Sequence, residues 1–152
     1  MDIARKEGIP LLIIDKENFF RGDGYTEELR ERKIDLIILA GFLWKIPLAL
    51  VQAYRGKIIN IHPALLPKFG GKGMYGNHVH EAVIAAGEQQ TGITIHYVDE
   101  FYDHGQIIFQ AACEVEAGDT PETLGRKVHL LEYTHFAKII EQEISHNLQN
   151  HR

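Results

Sequence analysis

The sequence predicts an α/β fold: a twisted, mostly parallel sheet with flanking helices that passes into antiparallel strands toward the C-terminus. Three observations point there. Residues 10–15 and 34–41 are short, nearly continuous apolar runs, the pattern of strands covered on both faces as in parallel sheets. Between them, residues 25–33 carry Glu27, Glu28, Arg30, Glu31 and Arg32 around an inward pair, Tyr25 and Leu29, which is a helix crossing the sheet. After residue 90 the texture changes to two alternating runs, 92–98 and 106–111, joined by a connection too long for a tight hairpin.

Taken in order, residues 1–8 read as the end of a helix stopped at Gly8, and 18–24 as a loop. The strand at 34–41 ends in Gly41, so Phe42, Leu43, Trp44 and Lys45 form a lip beside it. Pro47 opens a short helix through Tyr54, and the Arg55-Gly56 turn returns the chain to a strand at 57–62, completing a β-α-β unit. Residues 68–76 hold four glycines and two lysines, a mobile loop, before a helix at 79–86 that stops at Gly87. Thr120 caps the last helix with Pro121 at its first position. Leu124, Val128, Leu131, Ile139 and Ile140 make its inward stripe, and the polar tail from His146 is expected to fray.

Composition narrows the functional classes. A chain of 152 residues, 45% hydrophobic, is expected to form one domain with a sizeable core. No apolar run approaches the length that spans a bilayer, and the first residues lack the apolar centre of a signal peptide. One cysteine, Cys113, excludes an intrachain disulfide framework, and together these features lead to the expectation of a reducing cytoplasm. A net charge of −5 argues against a nucleic-acid surface and leaves room for a small anionic substrate near Arg55, Lys57, Lys68 and Lys72.

The stretch around which the rest is organised is 57–67, Lys-Ile-Ile-Asn-Ile-His-Pro-Ala-Leu-Leu-Pro. Its first half branches like a buried strand and its prolines force an extended exit, so Asn60 and His62 sit at a strand end, two residues apart on one face. An amide and an imidazole placed together in this way can grip one oxygen. A hydrogen-bonded structural pair is the competing reading.

Asn-x-His-Pro-x-Leu-Leu-Pro resembles the signature of the folate-dependent formyltransferases, in the branch that works on glycinamide ribonucleotide in purine synthesis. The resemblance covers nearly all of residues 1 to 145. It implies a Rossmann-like formyltransferase fold and transfer of a formyl group from 10-formyltetrahydrofolate, a co-substrate, to the ribonucleotide amine. It further implies that Asn60 and His62 hold the formyl oxygen and that Asp103, in the Asp103-His104-Gly105 loop, faces His62 and favours its imidazolium form. Leu43, Trp44, Lys45 and Ile46 would meet the folate ring through main-chain groups, with Asn60 and the loop around Asp103, including Tyr102, alongside. Glu132 would hold the ribose hydroxyls, and His129, on the same helical face, would be a neighbouring contact. Thr94 and His96 have two readings, site lining or ordinary sheet residues.

Family members begin with a strand, a Gly-Ser-Gly-type phosphate loop, a helix and a second strand that have no counterpart here. The chain is therefore expected to be an N-terminally truncated version, the C-terminal two-thirds to three-quarters of the family domain. The apolar sheet edge this leaves offers itself to a second copy, so homo-oligomer formation is an expectation. Nine histidines do not make a metal site: His78 and His80 diverge on a helix, and His129, Glu132 and His135 lack the His-Glu-x-x-His spacing. Hydrolysis of the formylated folate, formyl transfer to another amine, and folate binding without chemistry are the alternatives to the leading activity.

Overall fold

The computed structural model describes residues 2–21, 23 and 25–150, with side chains through residue 146. In chain order the elements are α1 (Asp2–Lys6), α2 (Lys16–Phe20), α3 (Thr26–Glu31), β1 (Ile37–Leu39), α4 (Leu48–Ala53), β2 (Ile58–His62), α5 (Asn77–Ala85), β3 (Gln90–Tyr97), β4 (Ile107–Glu114) and α6 (Pro121–Asn150). The sheet order is β1-β2-β3-β4. β1 and β2 run parallel, whereas β2–β3 and β3–β4 are antiparallel. The sheet is thus mixed, with the parallel character confined to the β1-α4-β2 crossover and the expected antiparallel strands following it.

β2 is the hinge of the core because its alternation buries both faces. Ile58 joins Phe19, Ile46, Leu50, Val51 and Tyr54 on one side. On the other, Ile59 and Ile61 meet Ile93, Ile95 and, from α6, Val128. Each such side chain withdrawn from water contributes about 1.5–3 kcal/mol. These two clusters hold the C-terminal end of β2, and hence Asn60 and His62, in a fixed frame.

Several expectations change. Residues 10–15 form no strand: Leu11 and Ile13 are exposed, Ile13 at 73%. Among the described residues β1 pairs only with β2, so this apolar run has no ladder to join. Part of the expected loop at 18–24 is α2, capped by Asp15, whose side chain accepts from the Asn18 N–H at 2.9 Å; residues 22 and 24 of that loop lie outside the described residues. The expected strand at 34–41 is cut to three residues, with Ile38 exposed on the open edge. At the other end, the helix does not fray at His146 but continues to Asn150; the last two residues of the expected tail lie outside the described ones.

Other elements stand where the pattern puts them. Pro47 precedes α4, Gly87 follows α5 with φ +67°, and Thr120 caps α6 by accepting from the Thr123 N–H at 3.2 Å. Among the described residues no helix is long and apolar enough to cross a membrane.

Candidate active site

Asn60 and His62 face a cavity of about 1070 Å³ between the C-terminal end of β2, the 71–77 loop, the 102–103 turn and α6. The antiparallel register places His96 opposite Asn60 and Thr94 opposite His62. The Asn60 side-chain amide donates to His96 Nε2 at 3.1 Å, and His96 Nδ1 donates to the Tyr97 carbonyl at 2.9 Å. This chain fixes the amide plane and leaves the second Nδ2 hydrogen for the cavity.

His62 is 4% exposed. Its Nε2–H donates to the Phe69 carbonyl at 2.7 Å, so Nδ1 is the nitrogen left facing Asp103, with Oδ1 3.6 Å away. The same Oδ1 lies 3.6 Å from His96 Nε2, while Oδ2 accepts the Gly71 N–H at 2.9 Å. Asp103 therefore gathers two imidazoles and one main-chain donor around a single carboxylate.

Local backbone makes that convergence achievable. Asp103 itself adopts φ +49°, an uncommon conformation for a residue with a side chain. Gly105 lets the turn close on β3: a Cβ there would stand 1.8 Å from the Tyr97 carbonyl oxygen. Gly70 brings the 69–71 segment down onto the site, where a Cβ would meet Leu66 at 2.6 Å and the Asp103 Cβ at 3.2 Å. The first half of the glycine-rich loop is thus pinned rather than mobile, and Lys68 beside it is paired with Glu88 at 2.7 Å.

Electrostatics set the charge state of His62. Burial holds the His62 pKa below its ordinary value, and the Asp103 charge and Phe69 carbonyl offset this only in part. Asp103 favours the imidazolium, as expected, but burial opposes it more strongly, so the ring is neutral near pH 7 and free to accept a proton. The Asp103 pKa is lowered as well: burial acts to raise it, but the surrounding His96, His62 and Gly71 N–H together hold it below the usual carboxylate value.

The exit from β2 is buckled by residues that carry no motif. Thr94 Oγ1 donates to the Ala64 carbonyl at 2.7 Å and accepts from the Leu66 N–H at 3.0 Å, and Gln110 Nε2 bridges Thr94 Oγ1 and the Leu66 carbonyl at 2.9 and 3.0 Å. His96 joins the polar centre and Thr94 supports it from behind; both are buried sheet residues and neither lines the cavity.

Of the other expected residues, Tyr102, His129 and Glu132 line the cavity, and His129 Nδ1 donates to Glu132 Oε2 at 2.7 Å. Leu43 also lines it and is 56% exposed. Its neighbours diverge. Trp44 packs among Phe19, Phe20 and Phe42, Ile46 is in the core, and Lys45 faces a smaller recess with Phe20, Leu48 and Phe101. Sequence reasoning missed the Phe69 and Gly71 main-chain groups and Gln110 altogether. Among the described residues no three His, Cys, Asp or Glu side chains gather as a metal site. Cys113 packs at the edge of the second cluster, and burial pushes its thiol pKa up.

The sequence profile of the formyl transferase family matches residues 2–140. The chain belongs to the formyl transferase family. It is 44% identical over 144 residues to the chloroplastic phosphoribosylglycinamide formyltransferase of Arabidopsis thaliana, covering 91% of this chain and 49% of that protein. With the phosphoribosylglycinamide formyltransferase of Bacillus subtilis (strain 168) it shares 45% identity over 121 residues, 80% of this chain and 60% of the other. The crystal structure of phosphoribosylglycinamide formyltransferase from Bacillus halodurans superposes with a TM-score of 0.84 at 35% identity, over 95% of this chain and 74% of that one. The chain thus spans about half the length of the curated plant relatives, 49% and 46%, and three-quarters of the solved neighbour, 74%.

Proposed function

We propose that this formyl transferase domain moves a formyl group from 10-formyltetrahydrofolate to the amine of glycinamide ribonucleotide, the reaction of purine biosynthesis for which its relatives are named. The observation that carries this reading is the convergence of Asn60, His62 and Asp103 on one cavity wall, with a free amide hydrogen beside a neutral, buried imidazole.

Attack of an amine on a formyl carbonyl creates an oxyanion and an ammonium together. Asn60 Nδ2 supplies a donor fixed by His96, a contribution of roughly 3 kcal/mol when such a donor is aimed at developing negative charge. His62 Nε2–H already donates to an accepting oxygen, the Phe69 carbonyl; in the reaction the formyl oxygen takes that carbonyl's place as acceptor, making His62 the second donor. Proton removal from the ammonium falls to His62 Nδ1, directly or through one water, and Asp103 stabilises the imidazolium that results; collapse of the oxyanion then breaks the bond between the formyl carbon and N10 of the folate, and the proton held by His62 passes to N10 as tetrahydrofolate leaves. Folate lies along Leu43 to Ile46 and Tyr102, with Leu43 the side chain on the cavity. Glu132 and His129 hold the ribose end. Cytoplasmic residence, a single domain and a homo-oligomer paired through the open β1 edge belong to the same proposal; the Arabidopsis relative carries a chloroplastic name.

Incubating the chain with 10-formyltetrahydrofolate and glycinamide ribonucleotide, together and separately, is the test. Formylated ribonucleotide formed only in the complete mixture is the expected result. Release of formate without ribonucleotide would make the domain a hydrolase, and no turnover in any mixture would leave a binding domain.

A further inference from the structure

The turn that carries Asp103 is held by two residues that the proposed chemistry does not use. β3 and β4 are joined through residues 98–106, and at the base of that connection the Tyr97 N–H donates to the Gln106 carbonyl at 2.9 Å. Beyond it, among the described residues, no main-chain hydrogen bond joins one residue of 99–105 to another. Side chains take over. Asp99 Oδ2 accepts from His104 Nδ1 at 2.7 Å and Oδ1 from the Phe101 N–H at 2.8 Å, so one carboxylate closes residues 99–104 into a loop. Burial acts to raise the Asp99 pKa, but these two donors hold it below the usual carboxylate value. An ionised carboxylate only accepts, which places the His104 ring proton on Nδ1. The His104 ring also meets Phe101 edge to face, with centroids 5.4 Å apart and planes at 72°.

What lies inside this clamp gives it a consequence. Tyr102 and Asp103 both line the cavity, and Asp103 keeps φ +49°, a conformation that a residue with a side chain holds only where its surroundings enforce it. On the cavity side, Asp103 accepts the Gly71 N–H at 2.9 Å, while both imidazoles stand 3.6 Å from Oδ1. Those contacts act on the side chain. The backbone is fixed from the other side, by His104 as the next residue. The His104 and Asp99 side chains are 69% and 31% exposed, and a pair so placed adds little to global stability. Its effect is local, on the orientation of the turn.

We propose that the Asp99–His104 clamp is a positioning device for Asp103, holding the turn so that its carboxylate stays beside His62 through the proton transfer. This rests on the proposed formyl transfer and makes His104 and Asp99 positioning residues that touch neither substrate nor reacting atoms.

Substitutions at the surface test it without opening the core. His104→Ala removes the donor, and His104→Asn keeps one, because its Nδ2 stands near the place of Nδ1. NMR titration of the free protein reads where Asp103 sits: its charge raises the His62 pKa against burial, so His62 should titrate lower in His104→Ala and return in His104→Asn. Loss of a positive charge at 104 by itself would move His62 the opposite way. Turnover should fall about tenfold in His104→Ala with KM and the urea midpoint little changed, and recover in His104→Asn. Asp99→Ala should lower both readings at least as far, and the double variant no further than Asp99→Ala alone. An unchanged or raised His62 pKa in His104→Ala overturns the clamp, as does a loss of turnover that asparagine does not restore; either leaves the proposed activity standing. If the parent chain transfers no formyl group, the titration decides alone: a downward shift reversed by asparagine supports the clamp while the activity falls.

Discussion

Thr94→Val is the substitution whose cost the structure defines most closely. Thr94 is 0% exposed, and its hydroxyl donates to the Ala64 carbonyl while accepting from the Leu66 N–H and Gln110. Valine keeps the shape and removes the hydroxyl. Gln110 retains the Leu66 carbonyl, but one buried carbonyl and one buried N–H lose this partner, at about 1–3 kcal/mol each. The added methyl returns about 0.8 kcal/mol, so the net loss is about 1–5 kcal/mol. Thr94→Ser, which keeps all three hydrogen bonds and loses one methyl, should cost only about 1 kcal/mol. Urea unfolding followed by circular dichroism measures both, with unchanged m-values showing that the midpoint shifts report stability. Formyl transfer by the valine variant should also fall, because residues 64–66 anchor the strand exit behind His62. If valine destabilises no more than serine, the hydroxyl is not the buckle described here and the reasoning fails.

His62→Ala should abolish formyl transfer with little change in folate affinity, while the emptied ring site and the unpaired Phe69 carbonyl cost about 1–3 kcal/mol of stability; a variant retaining most of its turnover would remove His62 from the chemistry. Asp103→Asn removes the charge that raises the His62 pKa against burial, so His62 should titrate lower and turnover should fall by about 10²-fold or more. An NMR titration giving one His62 pKa in both proteins would refute that pairing. Acidification should destabilise the fold: His62 and His80 both lie below their ordinary value of 6.5 when folded. The unfolded chain therefore takes up protons first, and the stability present above pH 6.5 is lost as pH falls toward the folded values. Urea midpoints measured from pH 8 down to about 5.5 check the sign, and a midpoint that stays flat or rises would contradict it.

Much of this arrangement was legible from residues alone, and the failures share a physical cause. β2, β3, β4 and α6 were readable because period-2 and helical stripes coincide with clear punctuation at Gly87 and Thr120-Pro121. Residues 10–15 look like a strand by the same criteria, yet a strand needs a neighbour to pair with, and that requirement is invisible in a local pattern. α2 is too short for periodicity to register and is specified by one Asp15 cap. At the site, Asn60 and His62 were found from their motif, whereas Asp103, which by itself reads as an ordinary turn residue before Gly105, was found only through the family resemblance. His96 required the β2–β3 register, which places it opposite Asn60. Phe69 and Gly71 act through main-chain atoms and leave no side-chain signature at all.

The protonation of His62 has a different origin from its position, and it bears on how the proposed site would operate. Reading a carboxylate beside an imidazole as an ion pair counts the attraction and omits the cost of taking the imidazolium out of water. Here His62 is buried and Asp103 Oδ1 stands at 3.6 Å, beyond direct hydrogen-bond reach, so the attraction is too weak to win. Asp103 nevertheless remains ionised, and the Gly71 N–H, donating at 2.9 Å, supports its charge whatever the state of His62. A neutral base thus lies next to a permanent negative charge that is already stabilised by other groups. Such a pair gains a proton at little cost only when an acidic group arrives beside Nδ1, which in the proposed reaction is the state the attacking amine would reach once bonded to the formyl carbon. A carboxylate held in place by His62 alone would lose its own support when that proton moved on; the shared arrangement around Asp103 lets His62 take up and release a proton without dismantling the site.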